Sequence, residues 1–72
     1  MTDTKLLEKY IEASGLKKSY IAEALGLSRY GFSLKCNNKN DFRATEIEQL
    51  CKLLKIGSKD RMAIFFAKWV DL

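Results

Sequence analysis

The sequence contains no proline and no histidine, and it has only four glycines and two cysteines in 72 residues. Because strands bounded by clusters of turn residues are also missing, the chain favours helices over sheets. A zinc site needs four closely spaced Cys or His ligands, whereas Cys36 and Cys51 stand alone, far apart along the chain. We therefore expect an all-α protein without a metal or cofactor, whose cysteines are small apolar side chains in a reducing compartment.

Several classes of function lack their usual signals. No apolar run is long enough to cross a membrane, and the first residues, MTDTKLLEKY, lack the apolar core of a signal peptide. So short a chain buries only about 60% of the surface that its unfolded form exposes, which leaves no room for a deep active site. No glycine-rich phosphate loop and no nucleophile–base pair is present. We expect a single cytoplasmic domain over residues 1–72 that is not an enzyme.

The net charge of +4 is concentrated in the middle of the chain. Residues 17–43 carry six basic and two acidic side chains, while the charges of the remaining residues cancel. A local basic surface indicates a polyanion or an acidic protein surface as partner. The alternative is a basic surface that is simply solvated.

Apolar residues at helical spacing predict five short helices joined by tight turns. The predicted ranges are about 4–14, 18–25, 29–36, 45–55 and a last helix that begins at Ser58. Glycine is expected to end the first, second and fourth helices, at Gly15, Gly26 and Gly57. Serine is expected to cap the third and fifth helices, and a capping box the fourth, at Ser28, Ser58 and the pair Thr45 and Glu48.

The segment KSYIAEALGLSRYGFSLKCN, residues 18–37, has the spacing of a helix-turn-helix. Ala22 is small enough to let two helices cross closely. Gly26 follows four positions later, where the turn requires a positive φ. Phe32 then points from the second helix of the motif back into the core. The spacing predicts a helix-turn-helix inside the five-helix domain.

The stretch IAEALGLSRYGFSLKCNNKNDFRATEIEQLCKLLKI resembles the helix-turn-helix core of the Cro/CI repressor family. With the later IFFA, it is similar to small Cro-like proteins of temperate phages of Gram-positive bacteria, and nearly the whole chain resembles antirepressors of lactococcal temperate phages. The resemblance implies a five-helix fold and a role in the choice between lytic and lysogenic growth, in the cytosol of the host. It also implies a CI-type repressor as partner.

The family's reading face maps onto the second helix of the motif and its surroundings. The implied DNA-binding residues are Lys18, Ser28, Arg29, Tyr30, Ser33, Asn37, Asn38 and Lys39. Arg29 is suited to a bidentate contact with guanine, and the others are suited mainly to phosphate contacts. Two of them have structural alternatives, because Ser28 is also a helix cap and Asn37 also a helix end.

Two residues of this face depart from a DNA reader. Leu34 stands where a base-reading protein usually has a polar side chain, and Tyr30 lies one turn earlier on the same helix face. An aromatic and an aliphatic side chain flanked by Arg29 and Lys35 match a protein-binding hot spot. The predicted partner-binding residues are Arg29, Tyr30, Ser33, Leu34 and Phe42. Leu34 has two alternatives: a contact with a thymine methyl, or packing against Phe42.

Two functional hypotheses follow. The first is an antirepressor that binds a CI-type repressor and blocks or modifies its binding to operator DNA, with a joint complex on the operator included. The second is a stand-alone Cro-like DNA-binding repressor. The C-terminal aromatic group, Met62, Phe65, Phe66 and Trp69, is expected to be core, with a homodimer face as the alternative.

Overall fold

A computed structural model describes residues 2–66 of the chain. This part folds into five α-helices without a strand: α1 Thr4–Ser14, α2 Lys18–Ala24, α3 Arg29–Cys36, α4 Ala44–Leu54 and α5 Ser58–Phe65. The predicted all-α class and the number of helices are confirmed. Within residues 2–66, no helix is long and apolar enough to cross a membrane. Of the C-terminal aromatic group, Trp69 lies outside the described residues.

The boundaries of the first three helices follow local sequence signals. Gly15 and Gly26 adopt the left-handed conformation, with φ of 72° and 74°, at the ends of α1 and α2. Glycine takes this conformation without the steric cost of a Cβ. The Ser28 hydroxyl accepts a hydrogen bond of 2.9 Å from the N–H of Gly31, which caps α3 as predicted.

The predicted ends of α4 and the predicted cap of α5 are wrong. Helix α4 begins at Ala44, so the capping box at Thr45 and Glu48 does not form. Glu46 acts instead, because its Oε1 accepts a hydrogen bond of 2.9 Å from the N–H of Arg43. At the other end, Lys55 adopts the left-handed conformation with φ of 57°. Gly57 precedes α5, which already includes Ser58.

The core is apolar and draws on all five helices. Its largest fully buried side chains are Phe32, Leu7, Ile21, Leu50 and Ile64. Three aromatic rings form an edge-to-face series, because Phe42 lies 6.1 Å from Phe32 and 5.5 Å from Phe65 between ring centroids. This geometry is the favoured one for aromatic pairs. The series connects α3 to α5 through the loop before α4.

The C-terminal aromatic group divides between core and surface. Phe65 is buried, and Phe66 is partly buried against the core. Met62 is 46% exposed, so the expectation that this whole group is core is wrong for Met62. The buried side chains of α5, Ile64 and Phe65, lie at its C-terminal end, and Met62 precedes them by about one turn.

A buried ion pair joins α3 to the start of α4. The Nζ of Lys35 lies 2.6 Å from Oε1 of Glu46, and the two side chains are only 13% and 10% exposed. Burial disfavours the charged form of Glu46 and is the largest single influence on its pKa. The Arg43 N–H and the Lys35 ammonium together outweigh burial, so the pKa of Glu46 lies below its ordinary value.

The N-terminal segment is held by the end of α3 and by α5. The Asn38 side chain accepts a hydrogen bond of 2.7 Å from the Thr2 N–H and donates one of 2.9 Å to the Thr2 carbonyl. Asn38 itself has a positive φ of 64°. The Asp3 N–H donates to the Ile64 carbonyl, and the Thr4 hydroxyl donates to the Cys36 carbonyl. Residues 2–4 are therefore an integral part of the domain.

We expect Glu46→Gln to lower the free energy of unfolding by roughly 2–3 kcal/mol at pH 7, because it leaves the buried Lys35 ammonium without its counter-charge. A carboxylate whose pKa is depressed by folding stabilises at neutral pH, and this stability is lost as the pH falls through the folded-state pKa. The difference in stability between the two chains should therefore shrink as the pH falls below the ordinary pKa of a glutamate. Urea unfolding followed by circular dichroism measures both effects.

The matched control for Glu46→Gln is Glu48→Gln on the same helix. Glu48 forms an exposed pair with Lys52 at 3.4 Å, so its loss should change the unfolding free energy by less than about 0.5 kcal/mol. Equal effects of the two substitutions at pH 7 would contradict the structural role of the buried pair.

We expect Asn38→Gly to destabilise the domain by roughly 1–2 kcal/mol, because glycine keeps the left-handed backbone and loses both hydrogen bonds to Thr2. Asn40→Gly makes the same chemical change at an exposed side chain of the same loop, and it should cost clearly less. Urea unfolding compares the two variants. An Asn38→Gly domain as stable as the Asn40→Gly domain would show that the hold on Thr2 contributes nothing.

Candidate recognition surface

The outer side of α3 is defined by the two residues that the helix buries. Phe32 and Cys36 are 1% and 3% exposed, and they lie four positions apart on the inner side. Tyr30 on the opposite side is 75% exposed, the highest value among the large apolar side chains of the described residues. We call the exposed residues Arg29, Tyr30, Ser33 and Asn37 the α3 face.

The α3 face borders a cleft of about 420 Å³ between α1, α2 and α3. We call it the α3 cleft. Its lining consists of Glu8, Lys18, Arg29, Tyr30, Phe32, Ser33, Cys36 and Asn37. Five of the residues predicted to contact DNA are thus brought together around one depression: Lys18, Arg29, Tyr30, Ser33 and Asn37.

The charges that line the α3 cleft do not cancel. The Nζ of Lys18 lies 2.9 Å from Oε1 of Glu8, and both side chains are substantially exposed. Arg29 has no ion-pair partner within residues 2–66. The cleft therefore carries one unmatched positive charge, at Arg29.

Several polar groups predicted to hold phosphates are already engaged inside the domain. The Ser28 hydroxyl caps α3, and the Asn37 side chain donates a hydrogen bond of 2.9 Å to the Ser33 carbonyl at the helix end. The Asn38 amide is bonded to Thr2 through both its oxygen and its nitrogen. Lys39 is exposed. Ser28 thus acts as a helix cap and Asn37 as a helix end, which were the structural alternatives to DNA contacts. The structural role of Asn38 was not predicted.

The residues predicted to bind a partner differ in how much surface they present. Leu34 is partly buried and is not one of the side chains that pack on the core. Phe42 is partly buried between Phe32 and Phe65, so it offers less free surface than Tyr30. The prediction that Lys35 flanks this surface as an exposed charge is wrong, because its ammonium is buried against Glu46.

Glu8 belongs to the cleft and was missed by sequence reasoning. It lies ten positions before Lys18, on another helix, and nothing in the local pattern of α1 distinguishes it from other exposed glutamates. Only the packing of α1 beside α2 brings the two charges together.

The thiol in the cleft lining is chemically inert at neutral pH. Burial, and to a smaller extent the Glu8 carboxylate, raise the pKa of Cys36 to about 12 against the opposing effect of the Lys18 ammonium. A thiol of this kind stays protonated and is a poor nucleophile. Cys51 is likewise buried with a raised pKa. The cleft therefore offers charged, aromatic and hydrogen-bonding contacts for binding, without an activated thiol.

Comparison with known proteins identifies one family. No curated protein and no solved structure shows significant similarity to the chain. A family model described as "Protein of unknown function (DUF739)" matches residues 3–68, which include the whole α3 cleft and all five helices. The chain belongs to this family of proteins of unknown function, DUF739.

Proposed function

We propose that the chain is a helix-turn-helix regulator of a phage genetic switch, which acts as an antirepressor by binding a CI-type repressor through the α3 face. The target would be the DNA-binding domain of that repressor, since a protein bound to this domain blocks operator binding directly. The proposal joins the resemblance to Cro/CI-type phage proteins with the geometry of α3.

The arrangement of α2 and α3 supports the helix-turn-helix part of the proposal. The two helices are separated by residues 25–28, where Gly26 provides the left-handed turn and Ser28 caps the second helix. Ala22 is 1% exposed, as a close helix crossing requires, and Phe32 reaches the core. These are the features that the spacing of the sequence predicts for the motif.

The observation that carries the antirepressor proposal is the exposure of Tyr30. An aromatic ring that is 75% exposed, with Arg29 and the partly buried Leu34 on the same helix, has the composition of a binding hot spot. Direct reading of bases and phosphates needs free polar groups, whereas the Asn37 amide nitrogen is bonded to the Ser33 carbonyl and the Asn38 amide to Thr2. The surface is better equipped for a protein than for a nucleic acid.

The alternative function is a stand-alone Cro-like DNA-binding repressor. The unmatched charge of Arg29, the exposed Lys39 and the positive middle third of the chain favour it. Arginine is the commonest side chain in specific contacts with guanine. DNA binding of this kind would weaken steeply with salt, because each phosphate contact releases counterions.

We expect Tyr30→Ala to weaken binding of the chain to a CI-type repressor by roughly thirtyfold or more, the loss typical of a hot-spot aromatic residue. Stability should change little, because the side chain is exposed. Tyr20→Ala is the matched control, since Tyr20 is a 55% exposed tyrosine on α2. It should change affinity less than about threefold. Isothermal titration calorimetry with purified repressor measures both variants.

Fluorescence anisotropy with labelled operator DNA separates the two functions. An antirepressor releases the repressor from DNA and binds DNA weakly on its own at either of two salt concentrations. Saturable, salt-steep and sequence-selective binding by the chain alone, together with no affinity for the repressor, would establish the Cro-like alternative. Equal repressor affinities of the Tyr30→Ala and Tyr20→Ala variants would remove Tyr30 from the interface.

A further inference from the structure

We propose that the α3 cleft receives an acidic side chain of the protein partner, with Arg29 as the group that binds its carboxylate. The inference rests on the proposed function, because it specifies the chemistry of the partner's contact with the same face. It identifies Arg29 as a residue that determines specificity, and it assigns Glu8 a role in tuning the charge of the cleft.

The charge balance of the cleft selects an anion. Lys18 is already paired with Glu8 at 2.9 Å, whereas Arg29 has no ion-pair partner among the described residues. A cationic side chain entering the cleft would meet two positive groups and one carboxylate that is already engaged. A carboxylate would meet an unpaired guanidinium, which binds carboxylates through two parallel hydrogen bonds.

The shape and lining of the cleft favour an amino-acid side chain over a phosphate of DNA. Phe32 and Cys36 contribute buried apolar groups to the lining, and Tyr30 adds an exposed ring. The methylene groups of Asp or Glu can pack on such a surface, whereas a phosphodiester has no apolar stem. DNA also presents phosphates in rows, which are bound by several cations along a surface. The cleft offers one unmatched cation.

Glu8 limits how strongly the cleft attracts anions. Its carboxylate holds the Lys18 ammonium and cancels its charge, so removing the carboxylate makes the cleft more positive without changing its shape much. This gives the proposal a test with a definite sign. Loss of the Glu8 charge strengthens the binding of an acidic partner group and weakens the binding of a basic one.

We expect Arg29→Glu to weaken binding to the CI-type repressor by at least roughly tenfold, as for close interfacial charge pairs. Lys59→Glu is the matched control, because it makes the same charge change at an exposed residue of α5 outside the cleft lining. It should alter affinity less than about threefold. Calorimetric titration gives the affinities, and circular dichroism with thermal unfolding confirms that both variants are folded.

The outcomes of this experiment separate the inference from the function on which it rests. If the unchanged chain binds the repressor and Arg29→Glu matches Lys59→Glu, the inference is overturned and the proposed function stands. If the unchanged chain binds no repressor, both are overturned. If Arg29→Glu abolishes binding to operator DNA alone and leaves repressor binding unchanged, Arg29 serves a phosphate or a base and the inference is overturned.

We expect Glu8→Gln to strengthen binding to the repressor by roughly two- to fivefold, the scale of an exposed charge interaction. A weaker complex would show that the cleft receives a cation, which overturns the inference. If changing one Asp or Glu of the repressor to Lys restores its affinity for the Arg29→Glu variant, that residue carries the bound carboxylate. Failure of every such acidic-to-lysine change on the repressor surface to restore it would also overturn the inference.

Discussion

The burial of Phe32 decides which side of α3 faces outward. This side chain is almost fully buried and packs edge-to-face with the Phe42 ring, whose centroid lies 6.1 Å away. Because Cys36 is buried one turn later, the orientation of the short helix about its axis is determined. The opposite side of the helix, with Tyr30, Ser33 and Arg29, therefore faces outward. The recognition surface is thus a consequence of core packing.

Polar interactions also fix the position of α3. The Lys35–Glu46 ion pair attaches the second half of α3 to α4, and Asn38 attaches the following loop to Thr2. The carbonyl of Leu34 accepts hydrogen bonds from the N–H groups of Lys39 and Asn40, so the chain after the helix is also held. A helix supported at its side and its end loses little conformational entropy on binding, and preorganisation of this kind favours affinity.

Hydrogen bonds within the domain reduce the number of free polar groups on and beside the α3 face. A DNA-reading face needs free hydrogen-bonding groups, but the Asn37 amide nitrogen is bonded to the Ser33 carbonyl and the Asn38 amide to Thr2. What remains outside is an aromatic ring and the cation of Arg29, beside a cleft with an apolar lining. The polar groups that would read a nucleic acid are here used for the stability of the domain.

Local sequence signals determined the helical class, the number of helices and most of their ends. Apolar spacing, the Ser28 cap and the left-handed glycines Gly15 and Gly26 act over one turn of chain, so they can be read without the fold. They failed at α4, where the Glu46 carboxylate accepts from the Arg43 N–H and is also held by Lys35, so the helix begins before the predicted pair of Thr45 and Glu48. Several residues of the α3 face were foreseen because helical spacing puts them on one side.

Tertiary structure decided which of those residues are free. Glu8 and Lys18 are ten positions apart, Lys35 and Glu46 eleven, and Thr2 and Asn38 thirty-six. No local periodicity connects such pairs, since their distance depends on how separate helices pack. The sequence alone determined that a basic and aromatic helix would face outward. Only the packing of the N-terminal segment, α1, α2 and α4 around that helix decided that Lys35 pairs with Glu46, that Asn38 is bonded to Thr2 and that Arg29 lies beside a cleft without an ion-pair partner among the described residues.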